Sequence, residues 1–174
     1  MTKVVLRHAT PADLDLLRHW DEQPQVKEAI GEDDDDWDWE EELQRTPEWR
    51  EFLVAELAGR PIGFIQVIDP LLEDSHYWGE VAPNLRAIDI WIGEMDVLGQ
   101  GYGTQMMQQA FQRCFTDQAV TAILIDPLKS NVRAHRFYES LGFEFVEERC
   151  FDREICKVYQ LRREVWQQKQ MNAE

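Results

Sequence analysis

One stretch constrains this chain more than any other. The run Ala87-Ile88-Asp89-Ile90-Trp91-Ile92-Gly93 is followed by Leu98-Gly99-Gln100-Gly101-Tyr102-Gly103-Thr104, and then by a segment that sets Met106, Met107, Ala110, Phe111 and Cys114 at helical spacing. The pattern predicts a strand, a glycine turn and a helix running from Gly103. The first four N–H groups of a helix have no internal partner, and the helix dipole is positive there. Glycine lets an anion approach such backbone closely. The turn is therefore a candidate cradle for the pyrophosphate of a nucleotide-like cofactor. A purely steric use of the glycines is the competing reading.

At 174 residues the chain is expected to form one domain, residues 1–174. No run reaches the ~18 apolar residues of a membrane span, and Met1 to His8 reads as a short strand, not a leader. Cys114, Cys150 and Cys156 lack metal-ligand spacing, so we expect reduced thiols, a cytoplasmic protein and no metal. The net charge of -16 disfavours nucleic acid and anionic membrane as partners and favours cations.

Val4 to His8 reads as a first strand. Thr10 caps a helix with Pro11 at its first position and Leu14, Leu17 and Trp20 as its apolar stripe. Pro24 interrupts it, and a second helix spans Gln25 to Ile30, ending at Gly31. The acidic run from Glu32 to Asp36 lacks calcium-loop spacing and reads as a solvated loop. The rival reading makes it, with Trp37 and Trp39, a wall of a polycation site. A helix near 40–45 stops before Pro47. Residues 51–57 and 61–68 form a hairpin around Ala58-Gly59-Arg60. The long connection from Asp69 carries Tyr77, Trp78 and Glu80 and reads as a binding loop. Arg86 to Gly93 is the central strand, Val120 to Ile125 another. A helix over 132–140 is capped by Ser130-Asn131, and 143–151 with 155–161 form a second hairpin. The tail from Arg162 reads as a polar, frayed helix. The predicted fold is α/β in the mixed sense, one sheet with helices on both faces.

Two segments together resemble one family. Leu98-Gly-Gln-Gly-Tyr-Gly-Thr104, joined to Asn131-x-x-Ala134-x-x-x-Tyr138-x-x-x-Gly142-Phe143, resembles the GNAT superfamily of acyl-CoA-dependent N-acyltransferases. The order of elements agrees over nearly the whole chain. Leu98 departs from the Gln or Arg usual at the first position of the glycine pattern. The segments 59–64, 86–89, 98–104 and 126–134 narrow the resemblance to aminoglycoside 6'-N-acetyltransferases of the type Ib kind. This implies a mostly antiparallel sheet whose central parallel strands splay apart after a bulge. It implies acetyl-CoA as cofactor, held by Leu98, Gly99, Gln100, Gly101, Tyr102, Gly103, Thr104, Asn131 and Tyr138, with the exposed backbone from Trp91, Ile92 and Gly93 to Glu94 pairing the pantetheine arm. An N–H near Trp91 or Ile92 polarises the thioester carbonyl. Asp89 and Asp126 face the substrate amines, and Tyr77, Trp78 and Glu80 border the substrate.

The chemistry asks for such groups. Asn131 and Tyr138 lie two helical turns apart, on one face. A tyrosine of ordinary pKa ~10 stays protonated at neutral pH and suits protonation of a leaving thiolate. Asp89 stands in an apolar strand, where a carboxylate needs a partner or a wet cleft. Asp126 ends the next strand. Asp89 is the first candidate base, with Glu80 second. His135 is expected at the surface, and no histidine forms a set with a nucleophile, so no covalent acyl-enzyme is expected.

The leading expectation is direct acetyl transfer to the 6'-amine of a polycationic aminoglycoside, by a monomer or homodimer. An acyltransferase of the same fold acting on a siderophore hydroxylamine, a polyamine or a protein N-terminus is a second reading. A non-catalytic acyl-CoA-binding module is the third.

Overall fold

The computed structural model describes residues 2–31 and 37–174. The acidic run from Glu32 to Asp36, with both readings made of it, lies outside the described residues. The strands are β1 (Val4–His8), β2 (Arg50–Leu57), β3 (Arg60–Ile68), β4 (Leu85–Ile92), β5 (Ala122–Ile125), β6 (Glu144–Phe151) and β7 (Glu154–Arg162). The helices are α1 (Leu14–Asp21), α2 (Pro24–Ile30), α3 (Trp39–Glu42), α4 (Tyr102–Thr116), α5 (Val132–Ser140) and α6 (Arg163–Ala173). The sheet runs β1-β2-β3-β4-β5-β7-β6. β4 and β5 pair parallel, whereas β1 with β2, β5 with β7 and β6 with β7 pair antiparallel. The mixed, mostly antiparallel sheet expected from the sequence is therefore present. The β4–β5 register runs from Leu85↔Ala122 to Ala87↔Leu124, and β4 continues beyond it to Ile92.

Two compact units divide the chain. The first comprises Met1–Val67 and Asp89–Ala110. Its core gathers Leu17, Trp20, Trp39, Leu43, Phe52, Val54 and Phe64, with Trp91 packed against them. Trp39 meets Phe52 at 5.6 Å, Phe64 at 5.3 Å and Trp91 at 6.4 Å between ring centres. Each such apolar side chain, once buried, contributes roughly 1.5–3 kcal/mol or more. The turn between β2 and β3 places Ala58 at φ 51° and Gly59 at φ 82°, the two left-handed positions of a tight hairpin. Thr10, Pro11 and Asp13 open α1 through a short 3-10 turn. Asp13 accepts the Thr10 N–H at 2.8 Å and both Arg7 guanidinium N–H groups at 2.8 and 2.9 Å. Burial alone would raise its pKa, but these bonds hold it below the ordinary carboxylate value. Pro24 does not merely interrupt: it opens α2, where its missing N–H costs nothing.

The second unit comprises Ile68–Ile88 and Phe111–Glu174. Ile123, Ile125, Tyr159 and Leu161 are fully enclosed, and Phe111 meets Phe143 at 5.6 Å. The tail is an ordered helix of 11 residues. Arg163 donates to the carbonyls of Phe115, Asp117 and Val120, and Trp166 stacks on Phe115 at 4.8 Å. β6 closes one end of the sheet, with Phe145 and Val146 exposed and a register shift between Phe145 and Glu147. No described helix is long and apolar enough to cross a membrane.

Candidate functional site

In the first unit the glycine turn lies between a 3-10 turn over Met95–Val97, unforeseen in the sequence, and α4. The helix begins at Tyr102, one residue before the expected start. Gly99 at φ 70° and Gly101 at φ 85° occupy left-handed backbone that other residues enter only at a cost. Gly103 takes no such conformation and lies inside the first turn of α4 with Thr104. A 15-residue helix behind two such glycines suits a diphosphate by donor chemistry and by lack of side-chain obstruction.

The approach to this turn is held tightly. Gly93 is buried beneath the Trp20 indole, so close that a Cβ there would fall 2.2 Å from the ring. The Gly93 N–H donates to Ile62 O at 2.9 Å, and Gln25 donates to Gly93 O at 3.0 Å. Trp20 Nε1 donates to Glu94 at 2.9 Å. Trp91 gives its ring to Phe64, stacked at 4.7 Å, and its indole N–H is enclosed without a protein partner. Ile92 is partly buried.

Asp89 stands two residues before Trp91 on β4, and Gln66 on β3 donates to its Oδ2 at 2.8 Å. The residue is exposed, yet the protein packed around its carboxylate leaves the charge poorly hydrated. Burial therefore raises its pKa above the ordinary carboxylate value, and the Gln66 bond opposes that shift. Gln66 was not singled out in the sequence. Its signal was there, as the only polar side chain in Ile62-Gly63-Phe64-Ile65-Gln66-Val67-Ile68, but the partner stands 23 residues away.

In the second unit Tyr77 and Asp126 are brought together. The phenol donates to Asp126 Oδ2 at 2.5 Å. Its ring lies flat on Phe151, with centres 4.5 Å apart and planes 7° apart. Trp78 is buried, edge-on to both rings, and Arg149 donates to its carbonyl at 3.0 Å. So Tyr77 presents the exposed surface of this cluster and Trp78 supports it. Glu80 is exposed further along the same connection.

α5 begins at Asn131, whose side-chain oxygen accepts the Ala134 N–H at 3.2 Å. That oxygen is committed to the cap, so the amide nitrogen is the group Asn131 can offer a ligand. Tyr138 is buried on the same helix, with Phe137 and Phe143 at 5.3 and 5.7 Å. His135 is not at the surface as expected: it is 5% exposed and bonds Leu128 O through Nε2 at 2.9 Å. The backbone returning before α5 covers that helix face, which periodicity alone does not reveal. Cys114 and Cys156 are buried, and Cys150 is exposed. Burial and the nearby Asp126 and Glu154 charges push the Cys156 thiol up to about 12, so it stays protonated.

Comparison with known proteins completes the picture. Over 92 residues the chain is 39% identical to an aminoglycoside N(6')-acetyltransferase type 1 of Klebsiella pneumoniae, covering 52% of this chain and 46% of that protein. It thus spans about half the length of that curated relative. Over 75 residues it is 41% identical to a kanamycin resistance protein of Rhizobium radiobacter, covering 42% of this chain and 69% of that one. The crystal structure of aminoglycoside acetyltransferase AAC(6')-Ib with coenzyme A and kanamycin is similar at a TM-score of 0.82 and 27% identity, over 97% of this chain and 99% of that one. Residues 9–151 match the acetyltransferase (GNAT) domain, and the chain belongs to the GNAT acetyltransferase family.

Proposed function

We propose that the protein transfers the acetyl group of acetyl-CoA directly to a primary amine of an aminoglycoside, at the 6' position. The observation that carries the reading is the Asp89–Gln66 pair. Gln66 fixes one oxygen of a carboxylate whose basicity its surroundings raise, on the strand that leads into the glycine turn, in a chain similar to aminoglycoside acetyltransferases.

Leu98 to Thr104 would hold the pyrophosphate, and Asn131 and the backbone of Trp91 and Ile92 the pantetheine arm; Gly93, expected to join them, has its N–H on Ile62 O and its carbonyl on Gln25. When bound, acetyl-CoA supplies the activated acyl group. An alkyl ammonium of pKa ~10.4 must lose a proton before it attacks, a deficit of roughly 4 kcal/mol at pH 7. A carboxylate that merely binds the cation increases this deficit. The two carboxylates divide the work. Asp126, tied to the Tyr77 phenol, holds charge and orients the cation. Asp89, with one oxygen on Gln66, takes the proton directly or through a water. Glu80 stands as the second candidate for that role. With the donor bound, an N–H near Trp91 or Ile92 would donate to the thioester carbonyl oxygen as the amine attacks. The Tyr138 hydroxyl would give its proton to the departing thiolate and regain one from solvent.

The test is release of free CoA from acetyl-CoA with kanamycin, spermidine and hydroxylysine as acceptors. Turnover of kanamycin supports the reading, and turnover of another amine without kanamycin sinks it. Tyr138→Phe and Asp89→Asn should each lower kcat by about 10²–10⁴. Near wild-type rates in both would overturn the assigned roles.

A further inference from the structure

The segment leading to the glycine turn, Glu94-Met95-Asp96, carries two carboxylates in a protein of net charge -16. A turn that accepts a polyanion is an unfavourable place for them. Arg60, the first residue of β3, meets both. Its Nη1 and Nη2 donate to the two Asp96 oxygens at 2.8 Å each, and Nη2 also donates to Glu94 Oε2 at 3.0 Å. Glu94 uses its other oxygen for Trp20, and Gln100, inside the turn, donates to Asp96 O at 2.8 Å. Arg60, Asp96 and Glu94 are 50%, 62% and 24% exposed at their side chains, and ion pairs so exposed add little to stability. Their arrangement has another use.

We infer that Arg60 is a positioning residue for the acyl donor: by fixing Asp96 and Glu94 and offsetting one of their two charges it lets the glycine turn accept the diphosphate of CoA. The inference rests on the reading of residues 98–104 as the pyrophosphate cradle. Arg60 acts through the two acids and needs no contact with the ligand. Its bidentate grip orients the Asp96 carboxylate, and Asp96 O orients Gln100 within the turn. The Arg60 bonds hold the Asp96 pKa below the ordinary carboxylate value, so the ion pair persists across neutral pH.

Calorimetry with CoA and with pantetheine, which lacks the diphosphate, tests this without turnover. Arg60→Gln should weaken CoA binding roughly three- to tenfold at low ionic strength, and the loss should shrink in about 0.5 M salt. Pantetheine affinity and the melting temperature should not change. Adding Asp96→Asn to Arg60→Gln should return CoA affinity to within about twofold of wild type, because it removes the charge that Arg60 offsets. A clamp with only a structural role would show no such rescue. Equal CoA affinity in Arg60→Gln, equal losses for CoA and pantetheine, or absence of rescue each overturns the inference. Gly101→Ala separates the two claims, with Gly99→Ala in its place if the first does not fold. If the glycine variant binds CoA as wild type does, the cradle reading falls and the Arg60 role with it. If it weakens CoA alone while Arg60→Gln does not, the cradle stands and only the Arg60 role falls.

Discussion

Gly93→Ala is the sharpest probe of how the first unit is held. A Cβ at Gly93 would lie 2.2, 2.2 and 2.3 Å from three atoms of the Trp20 ring. The ring is fully buried in the α1 core and anchored by its bond to Glu94, so it has little room to withdraw. Overpacking of this kind costs about 1–3 kcal/mol. Displacing the indole also threatens a hydrogen bond to a carboxylate, about 1.5–3 kcal/mol. The expected loss is about 2.5–6 kcal/mol. For a chain of this length each kcal/mol lowers the melting temperature by roughly 2–4 °C, so a fall of about 5–24 °C follows. Thermal unfolding by circular dichroism reads it. Gly59→Ala is the contrasting control: nothing lies within 4 Å of its Cβ, but φ is +82°. Its cost is conformational, about 1–2 kcal/mol. Trp20→Leu should absorb most of the Gly93→Ala loss, because the smaller side chain vacates the space. A melting temperature for Gly93→Ala within about 2 °C of wild type, or losses for the two substitutions that simply add, would refute the steric argument.

Gln66→Leu removes a bond that favours the ionised form of Asp89. The acid limb of the kcat/KM profile should begin above the ordinary carboxylate value in the wild type and move higher in the variant, as a pH–rate series will show. Asp13 titrates in the opposite sense. Its folded pKa is lowered, so its stabilisation is present above the unfolded value of ~3.9 and is lost as pH falls through the folded value. Asp13→Asn should flatten that part of the stability curve in urea titrations between about pH 5 and 2. Tyr77→Phe keeps the stack on Phe151 but loses the bond to Asp126. KM for kanamycin should rise severalfold, with the melting temperature nearly unchanged, and Asp126→Asn should add less than its own effect to the double variant.

Local chemistry made much of this molecule readable. Ala58-Gly59 announced the β2–β3 hairpin, Thr10-Pro11 the start of α1, and Asn131 the cap of α5. The features that escaped were those that depend on a distant partner. Gln66 matters because β3 lies beside β4. His135 is enclosed because Leu128 returns over it. The polar tail holds as a helix because Arg163 and Trp166 find Phe115. The sequence placed Asp126 and Tyr77 in one substrate region, but their direct bond spans 49 residues and no local rule anticipates it.

The exposed end of the sheet carries its own consequence. An edge strand is a template onto which another chain can add, and β6 offers the apolar Phe145 and Val146 there. Yet Glu144, Glu147 and Glu148 share the strand, and the register shift leaves Val146 without an opposite residue on β7. Arg162 and Lys129 pair Glu144 and Glu148, so charge alone guards the strand weakly, but a second copy laid against β6 would find its ladder interrupted at Val146. The irregularity works against sheet growth at the one place where β6 exposes aromatic surface.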